Sequence, residues 1–455
     1  MTVPNTECIP QLTLPIHPRL PIVVQFDAPE ISSDAGVLLD RELDDALGLS
    51  AGFAACLPDD RDPERVRHSR HEQTRQRIYQ IAQGYEDCND ADQLRHDPLL
   101  KAACDRLPLD AGLSSQPTLS RFENAVGRRT LYRLVRWFER SYIETLPRNK
   151  DVVILDIDAT DDETHGQQEL TFFHGYYDHH MYHPLLVYDG ESGNLITTLL
   201  RPGNRHASRG AMGTLRRLIR KIRRRCPDAA IVVRGDSGFC VPKVLRGLER
   251  LDQKMGSIDY LFGIAKNSRL GQALESTMEQ ARARQVGSQK AVLYTSFHYA
   301  ARTWDRSRWV IGKAEVSRLG DNPRYLITTL REFEPEMIYR AYCERGRCEL
   351  WIKDFKNALS ADRLSCSSFA ANFFRLLLHA AAYRLMHALR ERVAPLSQKL
   401  GRAQFDTLRL RLLRVAAQVT QTARRILVRI PKAFPEATVF RQLAASLASA
   451  PPAPS

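Results

Sequence analysis

The chain has 455 residues, 43% of them hydrophobic, enough for a large core shared among two to four domains. Lys and Arg number 66 against 53 Asp and Glu, so the net charge of +13 and pI near 9.4 point to a polyanionic partner, nucleic acid before membrane. Nine cysteines, odd in number and without a CxxC pair, argue against a disulfide framework or a zinc ribbon and read as buried thiols.

Residues 1–150 read as mainly helical after an extended stretch around Ile22 to Phe26, and suit nucleic-acid binding. Pro117 to Phe122 resembles a turn entering a helix, a pattern that an ordinary helical connection explains better than a helix-turn-helix. No basic patch followed by an apolar core opens the chain, so the expectation is a cytoplasmic protein.

Val152 to Leu155 is a continuous apolar run leading into Asp156-Ile157-Asp158, as in a strand buried on both faces. Glu169 to Tyr177, Pro184 to Tyr188 and Leu195 to Leu200 are expected to form a three-strand meander, the last two joined by the turn residues 189–194. Ser208 to Arg225 reads as a helix with Leu215, Leu218, Ile219 and Ile222 on one face and arginines around the rest. Ala229 to Val233 returns as a strand ending at Arg234-Gly235-Asp236-Ser237-Gly238. This order is that of an α/β, ribonuclease-H-like core, in which the first and fourth strands are neighbours. Asp158 and Asp236 would then converge, with Asp156 an alternative to Asp158 because both face the same side of the strand.

Lys290 to Thr329 is again β-rich and reads as an insertion in that core. Beyond it, spacings of three, four and seven place Tyr342, Arg345, Glu349 and Lys356 on one face of a single helix spanning Tyr339 to Asn357. Cys348, Leu350, Trp351 and Phe355 lie opposite and would be buried. Such a row is also common on a solvated helix, and its position after the two strand aspartates is what favours chemistry. Phe373 to Leu389 is the most apolar stretch, but Arg375, His379 and Arg384 interrupt it and argue against a membrane span. The expected segments are thus 1–150; a first part of the catalytic core, 151–266; the insertion, 267–330; the rest of the core with Glu349, 331–400; and a basic C-terminal region, 401–455, with a disordered low-complexity tail from Ala444.

Asp158, Asp236 and Glu349 form an oxygen-ligand set suited to two Mg²⁺ or Mn²⁺ ions, which activate a nucleophile and stabilise a leaving oxygen at phosphorus. His174, His179, His180 and His183 match no zinc spacing, and the glycines around Asp236 lack the lysine of a P-loop. The basic helix would add salt-sensitive affinity for DNA. Trp304, beside Arg302, could stack on an unpaired base, with core packing as the default for any tryptophan.

The chain resembles bacterial insertion-sequence transposases of the DDE type, in particular the insertion sequence 1380 group, over roughly residues 20 to 440. The resemblance rests on Leu155 to Asp162, Thr164 to Gln168, Arg201-Pro202-Gly203-Asn204, Arg234 to Phe239, and the Tyr342, Arg345, Glu349, Lys356 row, which matches the Tyr-Arg-Glu-Lys signature at every spacing. It implies a bacterial, nucleoid-associated enzyme with Asp158, Asp236 and Glu349 as its catalytic triad. Tyr342, Arg345 and Lys356 would contact double-stranded DNA at terminal inverted repeats. It further implies cut-and-paste strand transfer into target DNA, with a homodimer in the synaptic complex. The alternatives are a catalytically silent DNA-binding protein derived from a transposase and a structure-selective nuclease.

Overall fold

The computed structural model describes residues 12–14, 16, 18–287 and 289–448. They pack into two compact units that interleave along the chain: Leu49–Arg65 with Ser120–Ala388, and Met1–Gly48 with Val66–Leu119 and Leu389–Ser455.

The first of these units is built on a nine-stranded mixed sheet. Its strands are β1 (Val152–Ala159), β2 (Leu185–Asp189), β3 (Leu195–Leu199), β4 (Ala230–Gly235), β5 (Ile258–Ile264), β6 (Ala291–Tyr299), β7 (Arg308–Ser317) and β8 (Arg324–Thr328), plus Gly320–Asp321 on the end of β7. The spatial order is β3-β2-β1-β4-β5-β8-β7-β6, with β1, β4 and β5 parallel and the remaining pairings antiparallel. The first five strands therefore have the ribonuclease-H-like arrangement. The β-rich insertion extends this sheet through β8 instead of forming a layer of its own.

Period-two alternation sorts the side chains of β1 and β4. Val153, Leu155, Ile157, Ile231 and Val233 enter a core with helices α1 (Arg128–Thr145), α2 (Ala211–Arg225) and α3 (Pro242–Met255). Asp156, Asp158 and Arg234 consequently point to the other face. There α5 (Pro335–Cys343) packs Ile338 and Tyr339 against Leu261, Ile311 and Leu326, whereas α4 (Ser268–Arg284) covers β7 through Leu270 and Leu274.

Two expectations change. Glu169 to Tyr177 does not join the main sheet. Phe172–His174 pairs with His179–Tyr182, which pairs with Asp162–Glu163, in a separate three-stranded sheet. The physical reason is that Phe172 and Phe173 are both exposed, so the segment has no apolar face to bury in the core. The single helix over 339–357 is broken: α5 ends at Cys343, α6 runs Gly346–Lys353, and a π turn covers Asp354–Ala358.

Helix α7 (Phe369–Val393) is buried along most of its length, which accounts for its apolar sequence. Its Arg384 is satisfied by the carbonyls of Leu195, Ile196 and Phe138, and Arg375 pairs with buried Glu123. No helix among the described residues is long and apolar enough to cross a membrane.

In the other unit, chain segments from both ends meet: Ile31–Ser32 pairs with Ala417–Gln421, itself paired with Ile426–Arg429. Helices Val37–Leu47 and Arg70–Gln83 share a polar interior, where Asp44 accepts hydrogen bonds from Tyr79 and Arg75, and Asp40 accepts one from Gln83. Burial raises Asp40 to a pKa of about 8. Ala444 to Ala448, expected in the disordered tail, belong to helix Ala437–Ala448; the rest of the tail lies outside the described residues.

Leu218 is fully buried where α2 meets the sheet. Leu218→Ala is expected to destabilise the protein by about 2–5 kcal/mol, measurable as a lower urea midpoint.

Candidate active site

The register of β1 and β4 pairs Arg234 with Asp156 and Gly235 with Ile157, so the next position sets Asp236 beside Asp158. Asp158 is buried, and its Oδ1 accepts the Ala159 amide at 2.8 Å. Asp236 caps the 3₁₀ turn Ser237–Phe239 by accepting the Gly238 amide at 2.9 Å.

Asp156 faces the same side but has another partner. Its carboxylate takes both arms of Arg234, at 2.6 and 2.7 Å, with the side chains 0% and 3% exposed. Arg234 also donates to Ala341 at the end of α5 and to Gly190 in the β2–β3 turn. This geometry distinguishes the two members of the aspartate doublet: Asp156 has a guanidinium clamped across it from β4, and Asp158 lies beside Asp236.

Between α5 and α6 the chain tightens, with Arg345 and Cys348 donating their amides to carbonyls three residues back. That break turns Arg345 inward. Its Nη2 donates to Asp158 Oδ2 at 2.9 Å, and its Nη1 lies 3.8 Å from Glu349, whose side chain is 67% exposed. Arg345 therefore bridges the first and third carboxylates. Tyr342 lies over Gly263 of β5, where an added Cβ would come within 2.8 Å of the phenol oxygen. Cys348, Trp351 and Phe355 are buried as expected, whereas Leu350, about 200° around α6 from Cys348, is 50% exposed.

Lys356 does not join this group. The π turn directs its Nζ to Asp161, 2.9 Å from the carbonyl and 3.0 Å from the carboxylate. Nor does the structure bring Trp304 or Arg302 to the carboxylates. Trp309 pairs with Thr328, Thr328 with Leu261, and Leu261 with Arg234, so the loop preceding Arg308 lies at the opposite end of the sheet from Asp236. Trp304 packs against Tyr299 and under the Arg308 guanidinium, while Arg302 is exposed. Two cations went unnoticed in the sequence: Lys266 and Arg324 line a cavity of about 550 Å³ with Asp236, Tyr339 and Tyr342. Nothing in their local pattern marks them, since strand pairing alone brings them to the site.

Burial raises the Asp158 carboxyl to about 6; Arg345 opposes this, and the charges of Asp236 and Glu349 add to it. The donors are hard oxygens, as Mg²⁺ or Mn²⁺ prefers, and their mutual repulsion is what a cation would relieve. In the arrangement described, Arg345 supplies part of that positive charge, and no group of three His, Cys, Asp or Glu among the described residues is gathered tightly enough to hold a metal.

A family model described as transposase DDE domain group 1 matches residues 14–452. The chain belongs to that family. This transposase shows no match among curated proteins. A piggyBac transposase, solved by cryo-electron microscopy as a synaptic complex with hairpin DNA, aligns at 12% identity and a TM-score of 0.43, covering 93% of this chain and 86% of that one.

The two neighbouring aspartates should respond oppositely to substitution. A pKa raised on folding contributes stability that is fully present below pH 3.8 and lost as the pH rises through about 6. Asp158→Asn is therefore expected to raise stability at pH 8 by up to about 3 kcal/mol. Asp156→Ala, which strands a buried guanidinium, should cost about 3–5 kcal/mol. Urea denaturation of both variants at pH 4.5 and 8 checks the signs.

Proposed function

We propose that this transposase is a cut-and-paste enzyme of the insertion sequence 1380 group, acting on terminal inverted repeats. What carries the reading is the meeting of Asp158 and Asp236 on neighbouring parallel strands with Arg345 and Glu349 at their open end. Asp158, Asp236 and Glu349, drawn together as DNA enters, would hold the divalent ions, which when bound would supply an activated oxygen nucleophile and charge stabilisation at the leaving oxygen.

The protein's own groups position the DNA. Lys266 and Arg324 receive phosphate oxygens in the cavity bordering Asp236, and Tyr342 offers its hydroxyl from the same wall. Arg345 exchanges Asp158 for a phosphate oxygen as the site fills, so its charge passes from compensating carboxylates to gripping substrate. Lys356, steadied by Asp161, extends the phosphate track along the far end of the helix. Hydrolysis at the repeat boundary frees a 3′-hydroxyl, which then displaces the 3′ oxygen at a target phosphorus. Residues 1–150 are assigned recognition of the repeats, and two copies of the chain are assigned to the synaptic complex.

A catalytically silent DNA-binding protein is the second reading. It is favoured by the Arg345 contact on Asp158 and by the open spacing of the carboxylates.

The deciding experiment incubates purified protein with Mg²⁺ and a labelled duplex carrying the DNA that flanks its gene. Wild type is expected to cut at the repeat boundary. Glu349→Gln should cut at least about 100-fold more slowly while binding the duplex within about twofold of wild type. Equal cutting by both proteins removes Glu349 from the site, and binding without cutting by either favours the silent reading. In the absence of DNA, Mg²⁺ should raise the melting temperature of wild type but not of Asp158→Asn.

A further inference from the structure

The small sheet between β1 and β2 is unused by the chemistry above, yet it stands beside it. Its first strand begins at Asp162, four residues after Asp158. Its hairpin turns at Gly175–Asp178, with Asp178 in the left-handed region at φ 61°. The base of the hairpin is firm: Met181 and Tyr182 are fully buried, and Tyr182 donates to the Glu169 carbonyl at 2.6 Å. The tip is the reverse. Tyr176 is 85% exposed and Phe173 52%, although both are aromatic side chains that a soluble surface seldom leaves bare together.

A second loop braces the hairpin and carries charge. Pro202 bridges to Tyr182, and a Cβ on Gly203 would collide with the carbonyl oxygens of Met181 and Phe172. Buried Arg201 holds this loop by donating to the carbonyls of His183, Ala207 and Arg209. That explains the Arg201-Pro202-Gly203-Asn204 run: Arg201 is internal, and the loop it fixes presents Arg205 and Arg209 to solvent. The same loop reaches the active site, since Ala207 lies 3.0 Å from where a Gly238 Cβ would be, two residues past Asp236. Tyr177, whose ring meets Tyr176 edge-on at 5.0 Å, is half-buried and feels the charges of Asp161, Asp158 and Asp236, which add to burial in raising its pKa to about 12. Exposed aromatic surface, two guanidinium groups and the catalytic carboxylates thus border one another.

We propose that the hairpin tip, Tyr176 foremost with Phe173, is a stacking platform for an unpaired base of the DNA strand held at the carboxylates, with Arg205 and Arg209 taking the adjoining phosphates. The inference rests on the transposase reading of the site and adds to it a specific base contact. An aromatic face accepts any base, and unpairing the terminal step beside the carboxylates gives the phosphodiester room to enter a site whose first aspartate is buried. The two exposed arginines beside the aromatic rings suit a nucleic-acid strand better than an apolar protein surface.

The test places 2-aminopurine at successive positions flanking the cleavage boundary and compares wild type, Tyr176→Ala and Tyr176→Trp. Wild type is expected to change the probe's fluorescence at one or two positions. Tyr176→Ala should lose that change and cut a fully paired end about 5- to 150-fold more slowly. Tyr176→Trp should keep both, and a mismatch at the responsive position should restore cutting by Tyr176→Ala. Because Tyr176 is exposed, unchanged thermal unfolding of the alanine variant serves as the folding control. Wild-type fluorescence and cutting in Tyr176→Ala would overturn this proposal alone. A changed sedimentation mass with the base response intact would instead make the hairpin a contact between protein copies. Failure of wild type to bind or cut any end would remove the transposase reading and this inference with it.

Discussion

One buried guanidinium organises the sheet face that carries Asp158. Arg234 leaves β4, takes Asp156 of β1 in a two-armed pair, and uses its remaining donors on the β2–β3 turn and on the last turn of α5. β1 and β4 lead to Asp158 and Asp236, and α5 leads into the Arg345–Glu349 segment. A buried ion pair of this kind adds little net stability over a well-packed apolar pair, but it is intolerant of displacement because each charge left alone is costly. Its effect here is positional: the strands bearing the aspartates and the helix α5 that leads into the glutamate segment are referred to one group.

The β2–β3 turn is shaped to admit that group. A Cβ on Gly190 would fall 2.7 Å from the Arg234 guanidinium, and one on Gly193, at φ 83°, would fall 2.6 Å from the Trp351 indole. The turn thus receives Arg234 from the sheet and Trp351 from α6, so the helix with Glu349 is seated against the strands by two large side chains in two small gaps. The site above this base is built in tension. Asp158 is buried with the charges of two other acids acting on it, and Arg345 partly compensates, an arrangement that loses folding energy.

Local sequence was a good guide wherever side-chain period determines structure. The apolar runs of β1 and β4, the amphipathic α2 and the turn at 189–194 are legible because burial on a strand or helix repeats at a fixed interval. Period-two alternation also places Asp156, Asp158 and Arg234 on one face. The aromatic segment 169–177 misled because strand-forming residues say nothing about which sheet they join. Likewise, a row at helical spacing cannot reveal that the helix is interrupted at Glu344–Arg345 and ends in a π turn, which sends Lys356 to Asp161.

The sequence by itself determined the ribonuclease-H-like order of elements and the basic character, since these follow from composition and period. Only the tertiary structure shows that Asp156 is taken by Arg234 whereas Asp158 meets Arg345. It also removed Trp304 from the carboxylate end through strand register, and gathered Lys266, Arg324 and the Tyr176 hairpin around Asp236. The physical reason is that pairing partners, register and helix breaks depend on residues far apart in the chain, where no periodicity within a segment carries the information.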